Sequence, residues 1–260
     1  MNIIRNIKDA KKILHGSYSP QTKAKYIGIE IEMVSPISKE LVAVALVNAG
    51  LDSYVKVGYD ESIDTEDYDI YDDNDSGNHG LELRVLCKQS EVKFVITKLT
   101  KILKELDCYV NSSCGLHVHL DMRHRDIINS YINLAAAQGL LYSVTNPDRR
   151  NSYYCSPVKY SDYSNYVERK EIPIPRSGIN LHSLSKHNTI EIRVHEGTLD
   201  SNEIINFVKL LTCIVDRKTA TNGWRILKNK ALPKATLNYV NKRIKEYGKA
   251  KLHKKNYVGA

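Results

Sequence analysis

The chain has 260 residues, 42% hydrophobic and 26% charged, a balance that excludes wholesale disorder and suits one large domain or two small ones. No run approaches 18 apolar residues, which excludes an apolar membrane span, and five scattered cysteines without a CxxC pair exclude a disulfide scaffold. The charge of +8 is unevenly placed: residues 225–260 carry eleven Lys/Arg against Glu246 alone, a net of +10, leaving −2 for residues 1–224. A polyanionic partner, whether nucleic acid or an acidic surface, is therefore expected only at residues 225–260. The opening MNIIRNIKDAKKILHG has no apolar block or small-residue cleavage site, so the expected setting is reducing and cytoplasmic.

In chain order, residues 3–14 read as a short basic helix stopped by Gly16. YIGIEIEMV (26–34) alternates apolar and polar residues and predicts a strand. Ser38 can cap an apolar helix ending at Gly50, and YVKVGYD (54–60) is a strand leading into a loop with nine acids between Asp60 and Asp75. Within that loop, Asp72–Gly77 resembles a calcium loop only superficially, because position twelve would be Leu83 instead of Glu. GLELRVL (80–86) alternates again. Ser90 can cap an amphipathic helix with Val92, Val95, Leu99, Ile102 and Leu106 on one face. CGLHVHLD (114–121) is a strand, followed by a helix over about 126–144 that Asn146-Pro147 breaks. A Tyr/Ser-rich loop runs to about 175; GINLHSL (178–184) and TIEIRVHE (189–196) predict a hairpin. Helices over about 202–216 and 235–247 complete the chain. Together these elements predict an α+β fold with a largely antiparallel sheet, helices covering one face and the other face open.

Alternation divides each strand into two lists. Ile27, Ile29, Ile31 and Met33, with their counterparts on the other strands, form the core. The opposite list reads Glu30, Glu32, Glu82, Arg84, His117, His119, Asp121, Asn180, His182, Glu191, Arg193 and His195. A solvated face should be rich in lysine, yet none of the 26 lysines is here and four of the nine histidines are. Carboxylates at i and i+2 project about 7 Å apart. At an effective dielectric near 20, each ionised pair costs roughly 2 kcal/mol. Two arginines leave a surplus of negative charge that divalent cations would relieve, and oxygen ligands with an occasional imidazole suit Mg²⁺ or Mn²⁺. Such a face, with its arginines, suits the handling of phosphate. Gly28, Gly80, Gly115 and Gly178 each stand two residues ahead of the first polar group, either leaving room for a ligand or bulge or marking strand entry. Cys114 and Cys155 lack a partner histidine at thiol-protease spacing and read as buried small residues.

GxExE (28–32), Asp60-Glu61-Ser62, GLE (80–82), CGLHVH (114–119), RRNxYYC (149–155) and TIEIRVHEGTLD (189–200) occur in that order. Together they resemble the amidoligases of the glutamine synthetase and glutamate–cysteine ligase superfamily, with Glu61 where that family usually has glycine. The resemblance extends over about 26–216 and implies a glutamine synthetase-like fold; with the charge division it gives one catalytic domain over 1–224 and a basic helix and tail over 225–260. It implies ATP-dependent joining of a small-molecule or peptide carboxylate to an amine through an acyl phosphate; from the lack of an apolar run, no membrane partner is expected. By the same resemblance Glu30, Glu32, Glu82, Glu191 and His117 are metal ligands, and Gly28, Arg84, His119 and Asn180 are cofactor contacts. Arg193, Asp60, Arg149 and Arg150 are then the catalytic candidates, with ATP and Mg²⁺ (or Mn²⁺) as cofactors. Two alternatives stand beside this reading: a nucleic-acid-binding protein using residues 225–260, and a metal-dependent hydrolase built on His117-x-His119.

Overall fold

A computed structural model of the chain describes residues 25–65, 77–169, 176–252 and 256–258. The expected helix at 3–14 and most of the acidic loop lie outside the described residues. Six strands form an open antiparallel sheet: β1 (Tyr26–Ser35), β2 (Val55–Tyr59), β3 (His79–Lys88), β4 (Gly115–Asp121), β5 (Ile179–Asn180) and β6 (Thr189–Glu196). Their order is β2-β3-β1-β4-β6-β5. Eight α-helices accompany them among the described residues: α1 (Lys39–Asn48), α2 (Val92–Glu105), α3 (Ile127–Leu141), α4 (Tyr160–Ser164), α5 (Ser183–His187), α6 (Ser201–Val215), α7 (Gly223–Lys228) and α8 (Lys234–Tyr247). None is long and apolar enough to cross a membrane. The chain divides into two compact units, one running up to Leu116 with Gly197–Ile204, the other comprising His117–Glu196 with Ile205 onward.

In the first unit β3 pairs with both β1 and β2, and the register sets Glu30 opposite Arg84 and Glu32 opposite Glu82. The alternate residues Ile29, Ile31, Leu81 and Leu83 are fully buried, as the two-residue period requires. Helices α1 and α2 contribute Val42, Leu46, Val95 and Leu99 to the same core. The cap of α2 falls on Glu91 instead of Ser90, and Glu91 Oε2 accepts from Lys88 N at 2.9 Å. Its buried stripe includes Ile96 and Leu103, whereas Leu106 lies past the last turn, where Asp107 takes a φ of 55° and redirects the chain.

In the second unit, Asp126 caps α3 by accepting from Asn129 N, and the helix is buried around most of its circumference. The Tyr/Ser-rich stretch is not a plain loop. Pro147 opens a 3₁₀ turn over Pro147–Asn151, a second covers Tyr153–Cys155, and α4 runs on into a π-type turn at Asn165–Arg169. The expected hairpin shrinks to two paired residues, Ile179 opposite Ile192 and Asn180 opposite Glu191. Asn180 Oδ1 accepts from His182 N at 3.0 Å, a local turn that ends the strand and starts α5. His182 therefore lies on no strand face.

The basic C-terminal segment contributes packed structure. Helix α8 buries Thr236, Tyr239, Val240 and Arg243. Arg243 Nε donates to Val144 O at 2.9 Å and its Nη2 pairs with Glu196. Tyr239 OH meets His195 Nε2 at 3.1 Å, while His195 Nδ1 meets Glu196 O at 2.7 Å. His195, on the list of polar-face residues, is thus fully buried between β6 and α8.

Candidate functional site

Strand alternation brings Glu30, Glu32, Glu82 and Arg84 to one side of β1 and β3, and the 60–63 turn adds Asp60. Glu32, Asp60 and Glu82 each offer an oxygen, and the three lie within 4.8 Å of one another. Burial, followed by the neighbouring Glu30 charge, pushes the Glu82 carboxyl up to about 7; Arg84 opposes the shift, and Asp60 and Glu32 add to it. Arg84 Nε lies 3.3 Å from Glu82 Oε1 and is half-exposed. Gly115 N donates to Glu32 Oε2 at 2.6 Å, holding that carboxylate from the first residue of β4. Three converging carboxylates and no sulfur form a hard, all-oxygen donor set, which fits a divalent cation of the Mg²⁺ or Mn²⁺ kind.

The position of Asp60 is built by short-range bonds. Its Oδ1 accepts from Ser62 N at 2.9 Å and Ser62 Oγ at 2.6 Å, and its N–H donates to Gly80 O at 2.9 Å. Glu61 does not take a positive φ, so this turn accepts a side chain where the resemblance has glycine. A Cβ at Gly80 would fall 2.5 Å from Asp60 O, so Gly80 makes room for the turn. The corresponding space at Gly178 is taken by the Tyr142 hydroxyl. At both positions protein, not ligand, occupies the space glycine leaves. Asn111 Nδ2 donates to Asp64 O at 2.5 Å and Ser113 Oγ accepts from Asp64 N at 3.0 Å, tying the turn to the chain ahead of β4. Gly28 faces Leu86 across the ladder.

In the second unit the polar side chains centre on Glu191, which is 4% exposed. Its Oε2 accepts from Asn180 Nδ2 at 2.8 Å and Ser183 Oγ at 3.0 Å. Its Oε1 pairs with Arg193 Nη1 at 2.5 Å and lies 3.7 Å from His117 Nδ1. Arg193 Nε donates to Tyr154 O at 3.3 Å, and Nη2 has no hydrogen-bond partner among the described residues. Arg149 Nη2 donates to Arg193 O at 3.0 Å, and Arg176 stacks on the Tyr153 and Tyr154 rings at 4.5 and 5.2 Å. His119 Nδ1 engages Thr189 Oγ1 at 3.0 Å, and its ring lies edge-on to that of His187 at 6.2 Å.

Other candidates are spent on structure. Arg150 donates to the carbonyls of Tyr142, Tyr247 and Gly248, a cation at the C-terminal end of α8. Asp121 is clasped by Arg123 Nε and Nη2 at 2.8 and 2.7 Å. Both Asn180 amide atoms are used within the protein. Asp200 caps α6 by accepting from Asn202 N at 2.7 Å, and a Cβ at Gly197 would fall 2.5 Å from Cys114 Cβ. Cys114 and Cys155 are buried, and burial pushes both thiols up. Of the polar-face strand residues, Glu30, Glu82, Arg84 and Arg193 keep some exposure, whereas His117, Asp121, Asn180 and Glu191 are buried.

The structure also adds residues absent from the sequence expectation. Lys56 on β2 lies opposite Arg84 and is 9% exposed, placing a lysine on the carboxylate side of the sheet. Splitting Val55-Lys56-Val57 by the same alternation would have found it. Ser183 carried no signal, because a continuous strand would have put it with the core list.

A family model described as "Putative amidoligase enzyme" matches residues 23–177, more than half of the chain. The chain belongs to this family. The amidoligase match takes in β1 to β4, with Glu30, Glu32, Asp60, Glu82, His117 and His119, and the Arg149–Cys155 segment. Glu191 and Arg193 on β6 lie beyond its end. No curated protein matches the chain.

Proposed function

We propose that this amidoligase is an ATP-dependent carboxylate–amine ligase on a glutamine synthetase-like scaffold, forming an amide through an acyl phosphate. The observation that carries the reading is the convergence of Glu32, Asp60 and Glu82 within the family match, with Glu82 pushed up to about 7. Burial is the larger cause of that rise and the neighbouring carboxylates the smaller, and a bound cation would offset both by favouring the ionised form.

In this reading Glu32, Asp60 and Glu82 hold Mg²⁺ or Mn²⁺, with Glu30 beside them. When bound, the cation supplies the positive charge that lets an ionised carboxylate approach nucleotide phosphates. Gly115 N–H orients Glu32, and the Ser62 bonds orient Asp60, so the oxygens are set before binding. Arg193 is aimed by Glu191, itself held by Asn180 and Ser183, leaving Nη2 for an anionic oxygen. The substrate carboxylate attacks the γ-phosphorus, releasing ADP, and the amine then displaces phosphate from the acyl phosphate.

The test is a panel of carboxylates incubated with ATP, Mg²⁺ and hydroxylamine as a surrogate amine. Hydroxamate and ADP formed together, in equal amounts and only with a particular acid, are the expected result. Cleavage of amide substrates in the absence of nucleotide would overturn the reading in favour of a hydrolase.

A further inference from the structure

Helix α8 turns Thr236, Tyr239, Val240 and Arg243 into the protein, and leaves Lys234, Asn238, Asn241, Lys242 and Lys245 exposed. These exposed positions recur at i, i+4, i+7, i+8 and i+11 and form one stripe along the helix. Arg225, Lys228 and Lys230 are exposed just ahead of it. Lys249 Nζ lies 4.9 Å from the Trp224 ring centroid, so the chain after α8 returns to the start of α7 and carries cations to that end too. Glu246 is the one acid between Arg225 and Leu252. The sole buried cation of the segment, Arg243, is already paired with Glu196, so the exposed surplus is uncompensated within it.

We infer that this basic band is a docking surface for nucleic acid, read through the sugar–phosphate backbone. From Lys234 to Lys245 the helix covers about 16 Å, an axial length over which duplex DNA carries about ten phosphate charges. Asn238 and Asn241, interleaved with the lysines, add neutral amide donors of the kind that reach phosphate and sugar oxygens. An anionic membrane surface is the less suitable partner. Binding there gains from an apolar side chain to insert, and the exposed large apolar side chains, Leu41, Tyr59, Phe94, Tyr109, Ile127, Tyr153, Tyr154 and Tyr160, all lie outside 223–252. The inference stands independently of the ligase chemistry.

The test measures anisotropy of a labelled 20-base-pair DNA duplex and a 20-nucleotide RNA over 50–200 mM salt, with phosphatidylserine vesicles as a separate arm. The full chain is compared with the triple variant Lys234→Gln, Lys242→Gln, Lys245→Gln. All three side chains are exposed and outside the proposed active site, so melting should be unchanged. Binding of one or both nucleic acids that weakens steeply with salt is expected, with the duplex log–log slope reduced by about 3 in the variant. Absence of nucleic-acid binding at 50 mM salt, an unchanged slope in the variant, or retention on vesicles alone would each overturn the inference.

Discussion

Arg193 Nη1 donates to Glu191 Oε1 two residues back on the same strand, while Asn180 and Ser183 hold the other oxygen of Glu191. The guanidinium is thereby fixed at one corner and by Tyr154 O at Nε, with its remaining nitrogen unspent. A lysine could keep one ion pair but not the planar fork. Arg193→Lys is expected to lower turnover by about 10²-fold, roughly 3 kcal/mol of transition-state stabilisation, with melting moved by only a few degrees. Ser183→Ala should cost about 1–2 kcal/mol of stability, since it leaves a buried carboxylate one donor short. Kinetics and thermal melting on the same preparations separate the two effects. Wild-type turnover in the lysine variant would make Arg193 architecture.

The raised Glu82 carboxyl has a pH signature. The folded state holds a proton up to about pH 7 that the unfolded chain, at its ordinary value of 4.5, has already released. The folded state therefore binds more protons across that window, and stability falls as pH rises through it. In EDTA, urea midpoints should decline from pH 4.5 to 7 and then level off, with the Glu82→Gln variant declining less. Parallel curves for the two proteins would show that the Glu82 carboxyl is not raised in the folded state.

Divalent cations should reverse that loss. Mg²⁺ or Mn²⁺ at a hundred times its dissociation constant adds about 2.7 kcal/mol of stability. Glu82→Gln should melt higher than wild type without metal at pH 8, because a part-buried charge and its repulsion with Glu30 are removed, yet gain less on adding metal. Melting curves unchanged by saturating Mg²⁺ with ATP would count heavily against the carboxylate cluster as a metal site.

The pairing of buried Arg243 with part-buried Glu196 makes α8 part of the folded unit. Burial lowers the arginine's pKa, and the cation is compensated by Glu196, by Val144 O and by the Tyr247 ring at 4.4 Å. Arg243→Met leaves the part-buried Glu196 beside the Asn146 N–H without its cation and removes the bond to Val144 O, and should cost about 1–3 kcal/mol. The double variant with Glu196→Gln should recover part of it. Chemical denaturation measures both, and a loss below about 1 kcal/mol for the single change would show that α8 docks by apolar contact alone.

Much of this was written in the local sequence. Alternation in 26–34, 80–86 and 114–121 determined the strands, their core face and the company of Glu30, Glu32 and Glu82, because a pleated chain sends side chains to opposite sides with a period of two. The carboxylate surplus and the excess basicity of residues 225–260 needed no structure either. Tertiary structure alone decided which polar-face residues remain available. Arg123 takes Asp121, α8 takes His195, Arg150 is spent on carbonyls near the end of that helix, and Asn180 ends its strand to hold Glu191. It also brought Lys56 and the Asp60 turn to the carboxylates. Periodicity assigns a side chain to a face, but hydrogen bonds and burial come from residues distant in sequence, and those distinguish a ligand-ready group from one already satisfied.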